Sequence, residues 1–384
     1  MVDRSGTGIV AVMTSRLFYS LNWYNISPAL IPISQTFGVP LAYTGIALSS
    51  FLLGAGIFQL PAGIVSSKIG ARKTALIGLY LMSVAAIVSA FSSTFIEVVI
   101  FRFLVGVGAA FYFSTAIALL NELDPENIRG LIGYYNASFN LGAGAGIIAF
   151  TPLIPILGWR SDFLISGVAV LASTFFLQIA VKAGKDYTRF DLQGLRARLF
   201  DKRTWLIGVG LVGLWSLNYT LPEYFKTYAT LIGINPNIAG IMGGAIPIAG
   251  IAGGILASRF RGYNPLKLSA LLVIAIGTMV AAIPVLPYLG LWAVLLFTGL
   301  VATIVISLEY GIIALMDRSS RYMALNVGLI NSIQIGIGAT VPTLFGFIAI
   351  YGFSYSWLFL GVLAIGTLGF LLFLPRGMLK YFEN

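Results

Sequence analysis

Residues 63–73 read Gly-Ile-Val-Ser-Ser-Lys-Ile-Gly-Ala-Arg-Lys, and residues 254–262 read Gly-Ile-Leu-Ala-Ser-Arg-Phe-Arg-Gly. Each is a short basic turn, punctuated by glycine, between two long apolar runs. Ser67 and Ser258 lie 191 positions apart in a chain of 384 residues, so one device marks the same point in two halves.

Outward from these turns the chain is a series of apolar runs of about twenty residues or more, long enough to cross roughly 30 Å of hydrocarbon as helix. Hydrophobic residues make up 58% of the chain and charged residues 9%, whereas about a quarter of an ordinary soluble protein is charged. The pattern predicts twelve spans: 9–33, 43–66, 71–92, 94–120, 130–154 and 162–181, then 205–231, 238–257, 266–285, 289–315, 324–350 and 354–374. An even number places both termini on one side. Of 23 Lys and Arg, 19 fall in the termini and alternate loops of that side; Arg160 lies opposite, and Arg16, Arg102 and Lys226 fall inside spans. The positive-inside rule then predicts both termini in the cytoplasm, in a multi-pass protein of the plasma membrane.

The net charge of +10 does not imply nucleic acid, because the bases sit in loops between apolar runs rather than on a soluble face. The chain has no Cys and no His, which removes disulfides, thiolate metal sites and the usual near-neutral proton carrier. No cofactor or metal is expected, and no enzyme activity, since only scattered carboxylates are available for catalysis. The glycines at 142, 144 and 146 and at 243, 244, 250, 253 and 254 lack a following Lys-Ser/Thr, so they mark close helix packing rather than a phosphate loop. The longest polar stretch, 182–203, divides the chain into halves at 1–182 and 204–384, with 183–203 as a basic linker. Leu192, Leu195 and Leu199 fit either a surface-lying amphipathic helix or a solvated tether.

The duplication recurs elsewhere. Ser20-Leu21-Asn22-Trp23 matches Ser216-Leu217-Asn218-Tyr219, Asn136 matches Asn331, and Gly167 matches Gly361, all at offsets of 194 to 196. Taken with the basic turns, this frame resembles the major facilitator superfamily of secondary transporters. Gly63, Val65, Lys68, Gly70 and Arg72 resemble its motif A, with Ser67 where the family has an acid and Ala71 where it has an Arg. Arg102-x-x-x-Gly106-x-Gly108 resembles its motif B, and Gly158-Trp159-Arg160 its turn before helix 6. The stretch from Trp23 to Pro32 is similar to a first-helix pattern of organic-anion carriers, with Trp23 and Tyr24 at the acid and base positions.

The resemblance implies an all-α integral membrane fold of twelve transmembrane helices in two six-helix, pseudo-symmetric bundles. It implies alternating access around a midplane site lined by spans 1, 5, 7 and 11. Gating would fall to Gly63, Ser67, Lys68, Gly70 and Arg72, with Gly254, Ser258 and Arg259 in the second copy. The candidate substrate residues are Asn22, Tyr24, Asn25, Arg102, Asn136, Asn140, Asn218, Tyr219, Asn331 and Gln334. Arg102 is a guanidinium inside a span, either functional or bonded to helix carbonyls. Arg16 is expected to snorkel to the surface, the alternative being a cavity beside Ser20, Trp23 and Ser27. Glu223 and Lys226, one turn apart, are read either as a self-neutralising pair or as the wet end of span 7. Glu309 has no base within a turn in sequence, and no Asp is counted within any span, so Glu309 leads and Glu223 follows as proton-coupling candidates. The expected activity is proton-coupled uptake of a small polar organic solute by a monomeric permease in the lipid bilayer. The alternatives are an exporter of amphipathic compounds and a non-transporting receptor or channel.

Overall fold

The structure is a computed structural model that describes residues 4–182, 192–260, 263–314 and 323–375. Residues 183–191 of the linker and residues 315–322 lie outside the described residues. So does the side chain of Ser258.

The described chain is helical from end to end. Its α-helices are α1 (Arg4–Tyr24), α2 (Ile26–Phe37), α3 (Thr44–Ile57), α4 (Gln59–Ile69), α5 (Ala71–Ser89), α6 (Phe95–Leu123), α7 (Ile128–Leu157) and α8 (Trp159–Ala180) in the first half. A short α9 (Leu192–Leu199) lies in the linker. The second half holds α10 (Lys202–Gly210), α11 (Val212–Leu231), α12 (Pro236–Leu256), α13 (Pro265–Ala281), α14 (Tyr288–Ala314), α15 (Met323–Gly338), α16 (Val341–Ile348) and α17 (Phe353–Thr367).

Among the described residues nine helices are long and apolar enough to cross a membrane, and α3 with α4 makes a tenth, bent by 42°. The remaining two expected spans are the 17-residue α13 and the broken, polar-studded rod of α1 with α2. Twelve rods therefore stand where twelve apolar runs were read.

Four of them are not continuous helices as expected. Spans 1, 2, 7 and 11 break at Asn25, Phe58, Leu211 and Ala339–Thr340. Pro28, Pro61 and Pro342 follow three of these breaks within three residues. A proline inside a helix removes one hydrogen bond and crowds the carbonyl four residues back. Around Leu211 the glycines 208, 210 and 213 do the same work by weakening the helix.

The duplication is visible in the packing. A Cβ on Gly106 of α6 would fall on the Phe51 carbonyl of α3, and one on Gly299 of α14 would fall on the Ile246 carbonyl of α12. Likewise Gly167 of α8 lies on α5 at Ser83 and Ile87, and Gly361 of α17 lies on α13 at Gly277 and Ala281. Small residues let helix backbones approach where lipid supplies no hydrophobic drive. Gly106→Ala is therefore expected to push α3 and α6 apart, at about 1–3 kcal/mol. Gly130→Ala, where a Cβ meets nothing within 4 Å, should be neutral or stabilising. Melting of the purified proteins checks the pair, and equal midpoints would contradict the close-packing argument.

The halves meet along three seams. Spans 2 and 11 join where Thr343 Oγ1 lies 2.7 Å from Ser49 Oγ and Ser332 Oγ donates to the Gly56 carbonyl at 2.6 Å. Spans 5 and 8 interdigitate where Gly144 and Gly244 admit Ile248 and Ile148. Spans 1 and 7 join where Ser27 Oγ donates to the carbonyls of Pro222 and Glu223 at 3.1 and 2.8 Å.

Candidate functional site

Three buried polar clusters lie among the helices. The first surrounds Arg16 on α1. The expected snorkelling does not occur: Arg16 is only 4% exposed. Its guanidinium carbon lies 4.6 Å from the ring centre of Tyr19, 5.1 Å from Phe113, 4.3 Å from Tyr135 and 4.5 Å from Phe139. Four ring faces replace the water that a snorkelling cation would seek. Tyr19 follows Arg16 by three positions on α1, and Tyr135 and Phe139 are four apart on α7, so helix geometry aims these rings at one point. Tyr112 of α6 donates to the Val12 carbonyl at 2.7 Å and ties the cage shut. Nε and Nη1 of Arg16 have no hydrogen-bond partner, and among the described residues no carboxylate pairs with it. Tyr310, on α14 of the opposite half, interacts with it electrostatically.

The second cluster occupies the break in span 1. Arg102 of α6 is fully buried, under the face of Phe51 at 4.7 Å. Its Nη1 donates to the Asn22 carbonyl at 2.9 Å and its Nη2 to the Trp23 carbonyl at 3.2 Å. These belong to the last turn of α1, whose carbonyls lack helical partners and carry the negative end of the helix dipole. Arg102 thus caps α1. Asn25, at the break, donates from Nδ2 to Ser166 Oγ of α8 at 2.8 Å. Asp162, in the first turn of α8, is fully buried beside it, so an aspartate does lie inside the packed helices. Arg102 attracts both Asp162 and Glu223 of α11 without touching either. The Glu223–Lys226 pair does not form: Lys226 Nζ turns to the Pro28 carbonyl at 3.4 Å, and Glu223 is buried rather than at a wet end.

The third cluster is centred on Glu309 of α14, 2% exposed. Trp215 Nε1 of α11 donates to its Oε2 at 2.9 Å, and Gln334 Nε2 of α15 donates to its Oε1. Glu309 is therefore partnered after all, but by neutral donors. Asn331 of α15 bonds Tyr310, the neighbour of Glu309.

The other candidates scatter. Tyr24 stacks on Trp23 with ring centres 6.0 Å apart. Asn136 and Asn218 are half-buried. Asn140 lies against Gly250 of α12. The Tyr219 hydroxyl lies 3.4 Å from Ser216 Oγ and fills the space at Gly338. A groove of about 350 Å³, lined by Ile9, Met13, Tyr134, Leu141 and Ile251 among others, contains none of the candidates and opens between α1, α7 and α12.

In the first basic turn Gly70 has φ 88°, a conformation that favours glycine, and its N–H caps α4 at the Ser66 carbonyl. Arg72 donates to the carbonyls of Val181 and Gln178 at 2.5 and 2.7 Å, binding the C-terminal end of α8. Ser67 donates to Ile64 of its own helix at 2.7 Å, and Lys68 is exposed. Gly63 is half-buried, and Gly254 and Arg259 of the second turn are exposed.

Sequence reasoning left out Asp162, Trp215, Tyr310 and the aromatic cage. The i, i+4 spacing of Tyr135 and Phe139 was the available signal for the cage.

Apolar rods in two duplicated halves, with buried charged groups between them, define a multi-pass membrane protein. Residues 12–341 match the Major Facilitator Superfamily, and the chain belongs to that family. It is similar to the probable sulfoacetate transporter SauU of Cupriavidus necator, 24% identical over 96% of this chain and 93% of that protein. It is similar to the 4-hydroxybenzoate transporter PcaK of Pseudomonas aeruginosa, 30% identical over 38% of this chain; the match spans about a third of PcaK, 32% of its length. Among solved structures, a bacterial homolog of the human lysosomal transporter Spinster, in an inward-facing and occupied conformation, matches at a TM-score of 0.74. It is 14% identical, with 97% of each chain covered, and shares the fold.

Proposed function

We propose that this chain takes up a small organic acid anion by proton-coupled alternating access between its two halves. The observation that carries this reading is Arg16: a buried cation with free donors, no acid partner, and walls of aromatic rings. A carboxylate or sulfonate completes such a site, because a guanidinium presents a planar fork to planar anions. An aromatic or aliphatic body then packs on Tyr19, Tyr135 and Phe139. The names of SauU and PcaK point the same way. Tyr310 and Asn331 face this site from the second half, and Glu309 holds the coupled proton. In this reading the halves 1–182 and 204–384 rock about the site in the plasma membrane, with the 183–203 linker and both termini in the cytoplasm and one chain as the working unit.

Uptake of labelled 4-hydroxybenzoate and sulfoacetate into proteoliposomes tests the proposal. A hydrogen bond to a charged group contributes about 1.5–3 kcal/mol, so Arg16→Ala should lose roughly 10- to 100-fold in uptake of any acid that is carried. Arg16→Lys should fall between, keeping the charge but not the fork. Parental uptake by Arg16→Ala would remove Arg16 from the site. Efflux of neutral or cationic amphiphiles, with no acid uptake, would replace this reading with an exporter.

A further inference from the structure

Asp162 is a third buried acid, besides Glu223 and Glu309, whose position asks for a function. The Asn25 amide is the one side-chain donor that acts on it, yet no donor sits within hydrogen-bond distance of either carboxylate oxygen, and Oδ1 of Asn25 is buried without a partner as well. Among the described residues the only charged group that acts on Asp162 is Arg102, and the two are not in contact. Arg102 spends Nη1 and Nη2 on the carbonyls of α1 and leaves Nε unpartnered. The charges on the neighbouring helices are engaged elsewhere. Arg160, on α8 itself, donates to the Ser92 carbonyl at 3.0 Å and stacks on Trp159. Arg72 of α5 binds the opposite end of α8, and Lys73 shares that end. Arg16 of α1 is in its cage, and Lys226 of α11 faces Pro28. With all three groups ionised, the buried Arg102, Asp162 and Glu223 would hold one net negative charge away from the surface, which is costly. One proton cancels it. Glu223 keeps one oxygen outside the buried, unpartnered set, whereas Asp162 keeps neither, so the proton belongs on Asp162.

We propose that Asp162 is a proton-exchanging carboxylate, switched by Arg102 at the break in span 1. While Arg102 caps α1, Asp162 holds its proton as a neutral acid. When the break rearranges and Arg102 turns Nε toward α8, the O–H bond of Asp162 opens, the proton passes to water, and the carboxylate pairs with the guanidinium. The reverse step reloads it. The use of this proton in coupling rests on the uptake reading above.

Infrared spectra of the reconstituted protein, with and without aspartate carrying carbon-13 in its side-chain carboxyl, test the site without a substrate. Asp162 is the only fully buried aspartate among the described residues. The expected result is a protonated-carboxyl band that shifts with the label, is present in mild acid and disappears as pH rises. It should vanish in Asp162→Asn and persist in Asp201→Asn, whose parent is ion-paired with Arg203 at 2.7 Å. The labelled parental protein gives the answer even where Asp162→Asn does not fold. No label-sensitive band, or a band that stays unchanged across the pH range, overturns the proposal. Acid uptake that ignores a pH gradient, with the band still titrating, counts against coupled uptake alone.

Discussion

Arg102→Ala is expected to strip the purified protein of most of its folded material. The side chain is fully buried and caps the end of α1 through two carbonyls, Asn22 and Trp23. Its loss leaves both buried without their donor, and each unsatisfied buried group costs about 1–3 kcal/mol. It also removes the counter-charge from Glu223. Breaking a buried charge arrangement by deleting one partner costs about 3–5 kcal/mol, against a total stability of about 5–15 kcal/mol for a typical protein. Arg102→Lys keeps the charge but loses the fork that spans two carbonyls, so it should retain a folded fraction with a lowered melting midpoint. Size-exclusion profiles and thermal melts in detergent give the order parent, Lys, Ala. A parental melt for Arg102→Ala would mean that the break in span 1 is capped by something other than this residue.

The same residue shows where the sequence stopped being legible. A guanidinium inside an apolar run announces that it must find partners, but the partners are carbonyls 79 and 80 positions away. They are free only because span 1 breaks. Nothing in the run 9–33 marks that break with certainty, since proline is tolerated within membrane helices whose neighbours satisfy the freed groups. The twelve-rod frame was legible because hydrocarbon leaves the backbone few alternatives to helix. The paired glycines were legible as close packing, though not which helices they joined. Arg16 was misread because α1 alone offers it only Tyr19, and the other three rings arrive from α6 and α7. Asp162 was passed over because it is the first residue of its span, and sequence position alone does not show what covers it. The Gly158-Trp159-Arg160 turn instead tucks the first turn of α8 beneath Asn25, with Trp159 Nε1 donating to Thr36 Oγ1 at 2.9 Å.

Glu309→Gln should leave a protein that exchanges its solute yet cannot concentrate it. Glu309 is buried, and among the described residues no base acts on it; Trp215 and Gln334 contact it as neutral donors. Both hydrogen bonds suit the ionised carboxylate, which only accepts. A protonated carboxyl would need an acceptor, and Gln334 carries one: its Oε1 is buried and unpartnered. Rotation of the Gln334 amide by half a turn would exchange donor for acceptor. Either protonation state of Glu309 then keeps a hydrogen bond to α15, at the price of one side-chain flip. Such a pair suits a group that must load and unload a proton in every cycle. Gln at position 309 imitates the loaded state permanently, so the binding geometry survives and the unloading step does not. A pH difference of one unit supplies about 1.4 kcal/mol per proton, or about tenfold accumulation of the solute. In proteoliposomes under that gradient the parent should approach this ratio, while Glu309→Gln should equilibrate to equal concentrations at an undiminished exchange rate. Accumulation by the variant to the parental ratio would move the coupling role away from Glu309, and Glu223 would be tested next by the same substitution.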